Sequence, residues 1–195
     1  MDFMQSETRI NLARAFAGES QARNRYTFAA GLAKKKNLQV IEGIFTFTAN
    51  QERAHAKVFY NLLQSVSGEN LRIDGTYPVE LYPELLQHLR SAQHNEYQEW
   101  DHDYKGFAKA AKEEGFEEIS HTFSMISEIE KTHGDRFGRF ADLLEQGKLF
   151  VSDVEVKWMC LNCGQIIDAT MAPAVCPVCK HPQGYFIRWE LAPFE

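Results

Sequence analysis

The stretch SEIEKTHGDRFGRF, Ser127 to Phe140, decides the fold. It lies in a run where apolar residues recur at alternating steps of three and four: Ile119, Phe123, Ile126, Phe137, Phe140 and Leu144. This spacing is typical of a helix that buries one face. The same count assigns Glu130 and His133 to the buried face, so a carboxylate and an imidazole occupy positions that the pattern predicts for the core.

Four long helical patterns fill most of the chain, with predicted bounds 6–35, 38–66, 83–114 and 116–146. Lengths near thirty residues favour a four-helix bundle. Asn37 and Gly115 provide short links between neighbouring helices, whereas the stretch SGENLRIDGTYPVELYP, residues 67–83, is long enough to run the length of a bundle. The prediction is therefore two helical hairpins joined by a long crossover between the second and third helices.

Composition narrows the class of protein. The 195 residues are 44% hydrophobic, enough for a core, and the net charge of −6 argues against a nucleic-acid partner. No window approaches the roughly 18 uninterrupted apolar residues of a membrane span, and the first ten residues, MDFMQSETRI, lack the features of a signal peptide. We expect a cytoplasmic protein that binds neither nucleic acid nor membrane.

Acidic residues recur on the inner face of every predicted helix. In the second helix, FTANQERAHAKVFYNLL (residues 47–63) repeats the pattern of the fourth and places Glu52 and His55 on the apolar seam. The count places Glu19 on the inner face of the first helix, and Glu96 and Glu99 on that of the third. The chain thus looks like a helical hairpin used twice.

Five buried carboxylates require positive charge, because burial of unpaired carboxylates is too costly for a marginally stable domain. Arg23, predicted on the inner stripe of the first helix, neutralises one acid at most. Two metal ions supply what is missing, since Glu-x-x-His aims a carboxylate and an imidazole at one point. The other bundle histidines lack this register, and we expect them on the surface: His88, His94, His102 and His121.

The four cysteines follow the pattern C-x2-C, twelve residues, C-x2-C, within CLNCG (160–164) and CPVCK (176–180). This spacing predicts a tetrahedral all-sulfur site for zinc or for a single iron, and spacing alone does not choose between them. The helical pattern stops after Gly147, so we predict a helical domain over 1–147, a linker over 148–156 and a small metal-stapled β domain over 157–195.

Several stretches together carry a family resemblance: AFAGESQARNRY (15–26), QERAH (51–55), NEYQEW (95–100), EKTH (130–133) and APAVCPVCKHP (172–182). Across essentially its whole length the chain resembles the rubrerythrin family. The resemblance implies a ferritin-like di-iron four-helix bundle followed by a rubredoxin-like β domain that holds one iron on four cysteines. It also implies a non-haem peroxidase that reduces hydrogen peroxide to water in defence against oxidative stress.

The resemblance also assigns the ligands of an oxo-bridged di-iron centre: Glu19, Glu52, Glu96, Glu99, Glu130 and His133. It makes Glu52 and Glu130 the bridging residues, and it makes His55 a ligand that exchanges with Glu99 between oxidation states. The ligands of the single iron would be the four cysteines: Cys160, Cys163, Cys176 and Cys179.

Two tyrosines, Tyr26 and Tyr104, match residues that hydrogen-bond the ligand carboxylates in the family. The chain departs from the usual rubredoxin pattern at Lys180, where a glycine commonly follows the second cysteine of the pair. This departure bears on the redox potential of the site more than on iron binding.

Electrons would come from an NAD(P)H-dependent reductase or a rubredoxin, because the chain has no G-x-G-x-x-G nucleotide fingerprint of its own. The family implies a homodimer, head-to-tail or domain-swapped. Two alternatives stay open at this point: a ferroxidase or iron-storage protein, and an electron carrier whose cysteines bind zinc.

Overall fold

The structure is a computed structural model that describes residues 1–192. Its helices are α1 (Glu7–Lys35), α2 (Gln39–Leu62), α3 (Leu85–Gln98), α4 (Tyr104–Glu113) and α5 (Glu117–Glu145). Its strands are β1 (Val151–Cys160), β2 (Ile166–Met171) and β3 (Phe186–Arg188). The chain is thus mainly helical with a small C-terminal sheet, as predicted.

The predicted third helix is not continuous. A π-helical turn, Glu99–Asp103, separates α3 from α4, and it closes with the backbone N–H of Tyr104 donating to the carbonyl of Glu99. The second helix is also shorter than predicted, since α2 ends at Leu62 and a 3₁₀ turn, Gln64–Val66, follows it. Neither interruption contains a proline or a glycine, so the sequence carries no helix-breaking residue at either place.

The helices form two antiparallel hairpins, α1 with α2 and the α3–α4 pair with α5. Each hairpin turn contains a residue in the left-handed conformation, Asn37 at φ 57° and Gly115 at φ 89°. The following N–H groups close the helix ends, with Leu38 donating to the carbonyl of Ala33 at 3.0 Å. The short links predicted at these two residues are confirmed.

The crossover between the hairpins runs along α1. Three ion pairs hold it there: Arg14 to Asp74 at 2.6 Å, Arg25 to Glu80 at 2.8 Å and Lys36 to Glu84 at 2.8 Å. Because these partners are spread along α1, the crossover follows most of the length of that helix. In residues 1–192 we find no helix with the length and apolarity needed to cross a bilayer.

Two apolar clusters fill the bundle at different heights. The first includes Tyr26, Ile41, Phe45, Leu89, Phe137 and Phe140. The second includes Leu12, Phe59, Tyr104, Phe123 and Ile126. The acidic positions of the sequence pattern, such as Glu52 and Glu130, lie along the helices between the two clusters, so the polar centre is enclosed by apolar layers.

The C-terminal part of the chain forms a three-stranded antiparallel sheet with order β2-β1-β3. Strand β1 begins at Val151, so part of the segment predicted as a linker belongs to the sheet. Trp158 and Phe186 are the large buried residues of this lobe. The lobe packs on the α1–α2 end of the bundle, where Ile187 joins the bundle core and Gly184 lies against the carbonyl of Asn37.

Candidate metal centres

Two sets of four side chains converge between the apolar clusters, and within each set the ligand atoms lie within 4.8 Å of one another. The sets are Glu19, Glu52, His55 and Glu130, and Glu52, Glu96, Glu130 and His133. We name them the His55 position and the His133 position. Glu52 and Glu130 belong to both sets.

The two shared carboxylates present one oxygen to each position. Glu130 Oε1 lies 2.9 Å from His55 Nδ1, whereas its Oε2 lies 2.8 Å from His133 Nδ1. Glu52 divides its oxygens likewise, with Oε2 3.2 Å from His55 Nδ1 and Oε1 3.0 Å from His133 Nδ1. Two ligand atoms about 2.1 Å from one ion and at a right angle to it would be about 3.0 Å apart. The observed spacing is therefore that of bridging carboxylates.

The donor atoms are arranged for binding cations rather than for hydrogen bonds with one another. Among residues 1–192, both oxygens of Glu52 and of Glu130 are buried without a hydrogen-bond partner, as are Nδ1 of His55 and both ring nitrogens of His133. Although each Nδ1 lies close to carboxylate oxygens, it makes no well-directed hydrogen bond with them. Buried polar groups in native proteins are almost always paired, so this many unpaired atoms in one place indicates a metal site.

In the absence of metal the cluster would hold protons. Burial, followed by the negative charge of Glu52, raises the pKa of Glu96 to about 8. Burial lowers the pKa of each imidazole, but the carboxylates of Glu130 and Glu52 outweigh it, raising the pKa of His55 to about 9 and that of His133 to about 12. Metal ions would displace these protons, because a metal ligand must offer a free lone pair.

The two tyrosines bond the terminal carboxylates crosswise. Tyr104 Oη donates to Glu19 Oε1 at 2.5 Å, and Tyr26 Oη donates to Glu96 Oε1. Burial raises the pKa of both phenols well above the usual range, so both keep their protons. The roles that the sequence suggested for Tyr26 and Tyr104 therefore have matching geometry.

Glu99 is the one acid of the predicted five that belongs to neither set. It begins the π-helical turn and lines a cavity of about 580 Å³ between α1, the crossover and that turn. Arg25, Tyr77 and Tyr104 also line this cavity. Burial, then the charge of Glu96, raises the pKa of Glu99 well above the usual range and so favours the neutral carboxyl group.

The four cysteines converge in the C-terminal lobe, with their sulfurs within 4.8 Å of one another. Cys160 Sγ lies 3.7 Å from Cys179 Sγ, and Cys163 Sγ lies 3.7 Å from Cys176 Sγ. Four sulfurs in a tetrahedron about 2.3 Å from one ion would be about 3.8 Å apart, whereas a disulfide needs about 2.05 Å. The cysteines therefore fit a tetrahedral metal site.

The two cysteine turns have the same backbone form. Gly164 at φ 76° donates its N–H to the carbonyl of Cys160, and Lys180 at φ 64° donates to the carbonyl of Cys176. Lys180 thus adopts the conformation for which glycine is usual. The backbone N–H of His181 lowers the pKa of the Cys179 thiol to about 5 and so favours the thiolate.

Two expectations for the bundle were wrong. Arg23 is exposed rather than on the inner stripe, because it lies one position past the buried Ala22. His88 is buried, since its Nε2 lies 3.0 Å from the carbonyl of Tyr82 and its ring packs on the Tyr82 ring. Two cations near the centre, Arg25 and Arg136, were not predicted from the sequence. The only signal that could have suggested them is their proximity along the helices, Arg25 to Glu19 and Arg136 to the Glu-x-x-His motif.

The other three histidines outside the seam, His94, His102 and His121, are exposed as predicted. The residues that the sequence placed on the seam around the bridging acids, Glu19, Glu52, His55, Glu96, Glu130 and His133, all lie in the two sets. Counting along the apolar stripes therefore predicted that these six side chains lie together. The position of Glu99 outside both sets could be seen only in the structure.

Comparison with known proteins agrees with this geometry. The family model described as Rubrerythrin matches residues 11–141, and the model described as Rubrerythrin, rubredoxin-like domain matches residues 158–187. The chain is 43% identical to a rubrerythrin of Clostridium perfringens, over 93% of each chain. It is 42% identical to a rubrerythrin of Porphyromonas gingivalis, over 93% of this chain and 89% of that one.

A solved structure described as fully reduced, all-ferrous nigerythrin superposes with a TM-score of 0.63 at 25% identity, covering 95% of this chain and 90% of that chain. The bundle therefore carries the carboxylate and histidine set of a di-iron site, and the lobe carries a rubredoxin-like four-cysteine site. The ligand geometry, the two family models and the relatives at more than 40% identity agree that this chain belongs to the rubrerythrin family.

Proposed function

We propose that the chain is a cytoplasmic non-haem di-iron peroxidase that reduces hydrogen peroxide to water in defence against oxidative stress. One observation carries the proposal: a single chain holds a two-ion carboxylate site and a four-sulfur site. A storage protein needs only the first, whereas an enzyme that turns over repeatedly also needs a route for electrons. The proposed ligands of the di-iron centre are Glu19, Glu52, His55, Glu96, Glu99, Glu130 and His133, and those of the single iron are the four cysteines.

The chemistry needs two electrons and two protons for each peroxide. When bound, two ferrous ions together supply the two electrons that convert one hydrogen peroxide and two protons into two waters. The cavity lined by Glu99 and Tyr104 is the proposed route by which a small substrate reaches the centre. A protonated Glu99 carboxyl is suited to deliver one proton there, because burial favours its neutral form.

The remaining side chains hold the site in place. Tyr104 fixes one oxygen of Glu19, and Tyr26 fixes one oxygen of Glu96, which leaves the second oxygen of each carboxylate free for an ion. The apolar layers above and below the centre exclude water from the bridging acids. Chain geometry thereby fixes where a peroxide can approach.

Electron delivery favours a homodimer. The lobe packs at the start of α2, and Glu52 lies thirteen residues beyond Gln39, which corresponds to about 20 Å along a helix at 1.5 Å per residue. We propose that a head-to-tail dimer brings the four-cysteine site of one chain near the di-iron centre of the other. An NAD(P)H-dependent reductase or a rubredoxin would then reduce the four-cysteine iron.

The peroxidase proposal is tested by an anaerobic titration. Fully reduced protein, freed of reductant, receives sub-stoichiometric hydrogen peroxide while the colour of the ferric four-cysteine site is followed, and a parallel sample receives oxygen. We expect rapid return of colour with peroxide and much slower return with oxygen. Colour that does not respond to peroxide would refute the proposal and favour the alternative, a ferroxidase or iron-storage protein.

Transfer between chains has its own test. A Cys160→Ser chain lacks the electron-transfer site, and a Glu130→Ala chain lacks a bridging acid. Verified heterodimers of the two should recover part of the peroxidase turnover, because one intact site of each kind then faces the other. If such heterodimers are as inactive as either homodimer, transfer between chains is excluded.

A further inference from the structure

Arg136 is a partly buried cation beside the di-iron site that has only neutral partners. It lies on α5, one turn after His133. Its Nη1 donates to Thr48 Oγ1 and to Gln51 Oε1, both at 2.9 Å, and its guanidinium lies 5.0 Å from the centre of the Phe47 ring. Within residues 1–192 neither hydrogen-bond partner is a carboxylate, so these contacts leave its positive charge uncompensated.

The charge of Arg136 acts on one half of the centre. Burial lowers the pKa of Arg136, and the carboxylates that act against this effect are Glu96, Glu52 and Glu130. Glu52 and Glu130 are shared by both positions, whereas Glu96 belongs only to the His133 position. Glu96, together with the place of Arg136 one turn after His133, therefore directs the charge to that side. A guanidinium stays protonated in proteins, so it presents a permanent charge to that side.

The two hairpins of the bundle are nearly equivalent, but they differ at the position of Arg136. The ligands correspond in pairs between the hairpins, Glu52 with Glu130 and His55 with His133. Three residues after His133 comes Arg136, and three residues after His55 comes Val58, which is 39% exposed. The two iron positions have equivalent ligands, but the place that Arg136 takes after His133 is taken after His55 by the neutral Val58.

We propose that Arg136 supplies a fixed positive charge that stabilises the ferrous form of the iron at the His133 position. Four carboxylates in the two sets balance two ferrous ions. Oxidation of both ions adds two positive charges, of which Glu99 would offset one if it bound. A nearby guanidinium opposes the added charge by electrostatic repulsion. Arg136 thereby raises the reduction potential of the centre and makes the iron at the His133 position the harder one to oxidise.

Mediated redox titration of the iron-loaded full chain tests this proposal, with the mixed-valence state followed by electron paramagnetic resonance. Arg136→Gln should shift the one-electron equilibrium toward the oxidised form at least tenfold, which corresponds to a potential lower by about 59 mV. Arg136→Lys should keep most of the wild-type value. The matched control is Arg139→Gln, since Arg139 is exposed on the same helix, and it should change little. The potential of the four-cysteine iron should be unchanged in all three.

A second variant makes the test independent of how well the Arg136 variants fold. Val58→Arg adds a cation at the corresponding place in the other hairpin, and it should raise the potential of the centre. An unchanged potential in folded Arg136→Gln, or in Val58→Arg, would overturn the proposal and leave Arg136 as a structural residue that links α5 to α2. The inference rests on the di-iron centre of the proposed function. Because the titration uses no peroxide, its result is independent of whether the chain is a peroxidase.

Discussion

Metal loading of the bundle should release at least about three protons at pH 7. His55, with a pKa of about 9, and His133, with a pKa of about 12, are both protonated at this pH. Glu96, with a pKa of about 8, is also mostly protonated, and burial followed by the charge of Glu130 raises the pKa of Glu19 well above its usual value. His55, His133 and Glu96 must each lose one proton to bind an ion, and Glu19 must lose any proton that it holds.

The released protons set the pH dependence of binding. With at least three protons released for two ions, the overall association constant should rise at least about 10³-fold for each pH unit near pH 7. Displacement of the His55 proton alone opposes binding by about 3 kcal/mol at pH 7, since its pKa of about 9 lies two units higher. The dependence should weaken above pH 9, where Glu96 and His55 are already deprotonated.

Isothermal titration calorimetry in buffers of different ionisation enthalpy counts these protons. The protein would first be given zinc to fill the four-cysteine site, and the bundle would then be titrated with Zn²⁺. Glu96→Gln should release about one proton fewer, whereas Glu118→Gln, a matched control at an exposed position of α5, should match the wild type. Release of one proton or none would show that the cluster is not held together by protons, and the pKa reasoning would fail.

Three further predictions concern stability. The metal-free protein should lose at least about 3 kcal/mol of stability as the pH rises from 6.5 to about 9, because His55 keeps its proton to a higher pH in the folded state than in the unfolded state. His133 and Glu96, whose pKa values are also raised, add to this loss. Thermal melts at several pH values would show the loss, and a flat profile would contradict it. Lys180→Gly should stabilise the lobe by about 1 kcal/mol in denaturant titrations, since Lys180 has φ 64°, and a loss of stability would contradict this. Gly184→Ala should destabilise the chain by about 1–3 kcal/mol, because a Cβ would lie 2.0 Å from the carbonyl oxygen of Asn37. The control Gly31→Ala has open space for its Cβ and should be neutral or stabilising. Equal melting temperatures for the two variants would count against the lobe contact.

The parts of the centre that follow helical periodicity could be predicted from sequence. Glu52, His55, Glu130 and His133 were located by counting along apolar stripes, because each stripe continues on both sides of the acidic pair. The cysteine site was located from spacing alone, since two C-x2-C turns have few other uses. In both cases local chemistry and the global fold agree.

The remaining features depend on contacts between distant segments. The π-helical turn after Gln98 contains no proline or glycine, so no helix-breaking residue marks it in the sequence. His88 is buried by Tyr82, a residue of the crossover whose path was unknown. Arg23 lies one residue past the buried Ala22, so an error of one residue in the helix phase was enough to assign it to the inner stripe.

The number of residues in the π-helical turn determines how the site is arranged. Tyr26 follows Glu19 by seven residues, whereas Tyr104 follows Glu96 by eight. The extra residue fits in the five-residue turn, and without it every residue of α4 would be rotated by about 100° about the helix axis. Deletion of one residue from Trp100 to Asp103 would preserve a helix, yet it would swing Tyr104 off Glu19. In this chain, one additional residue in the π-helical turn therefore sets the rotation of α4 relative to α3.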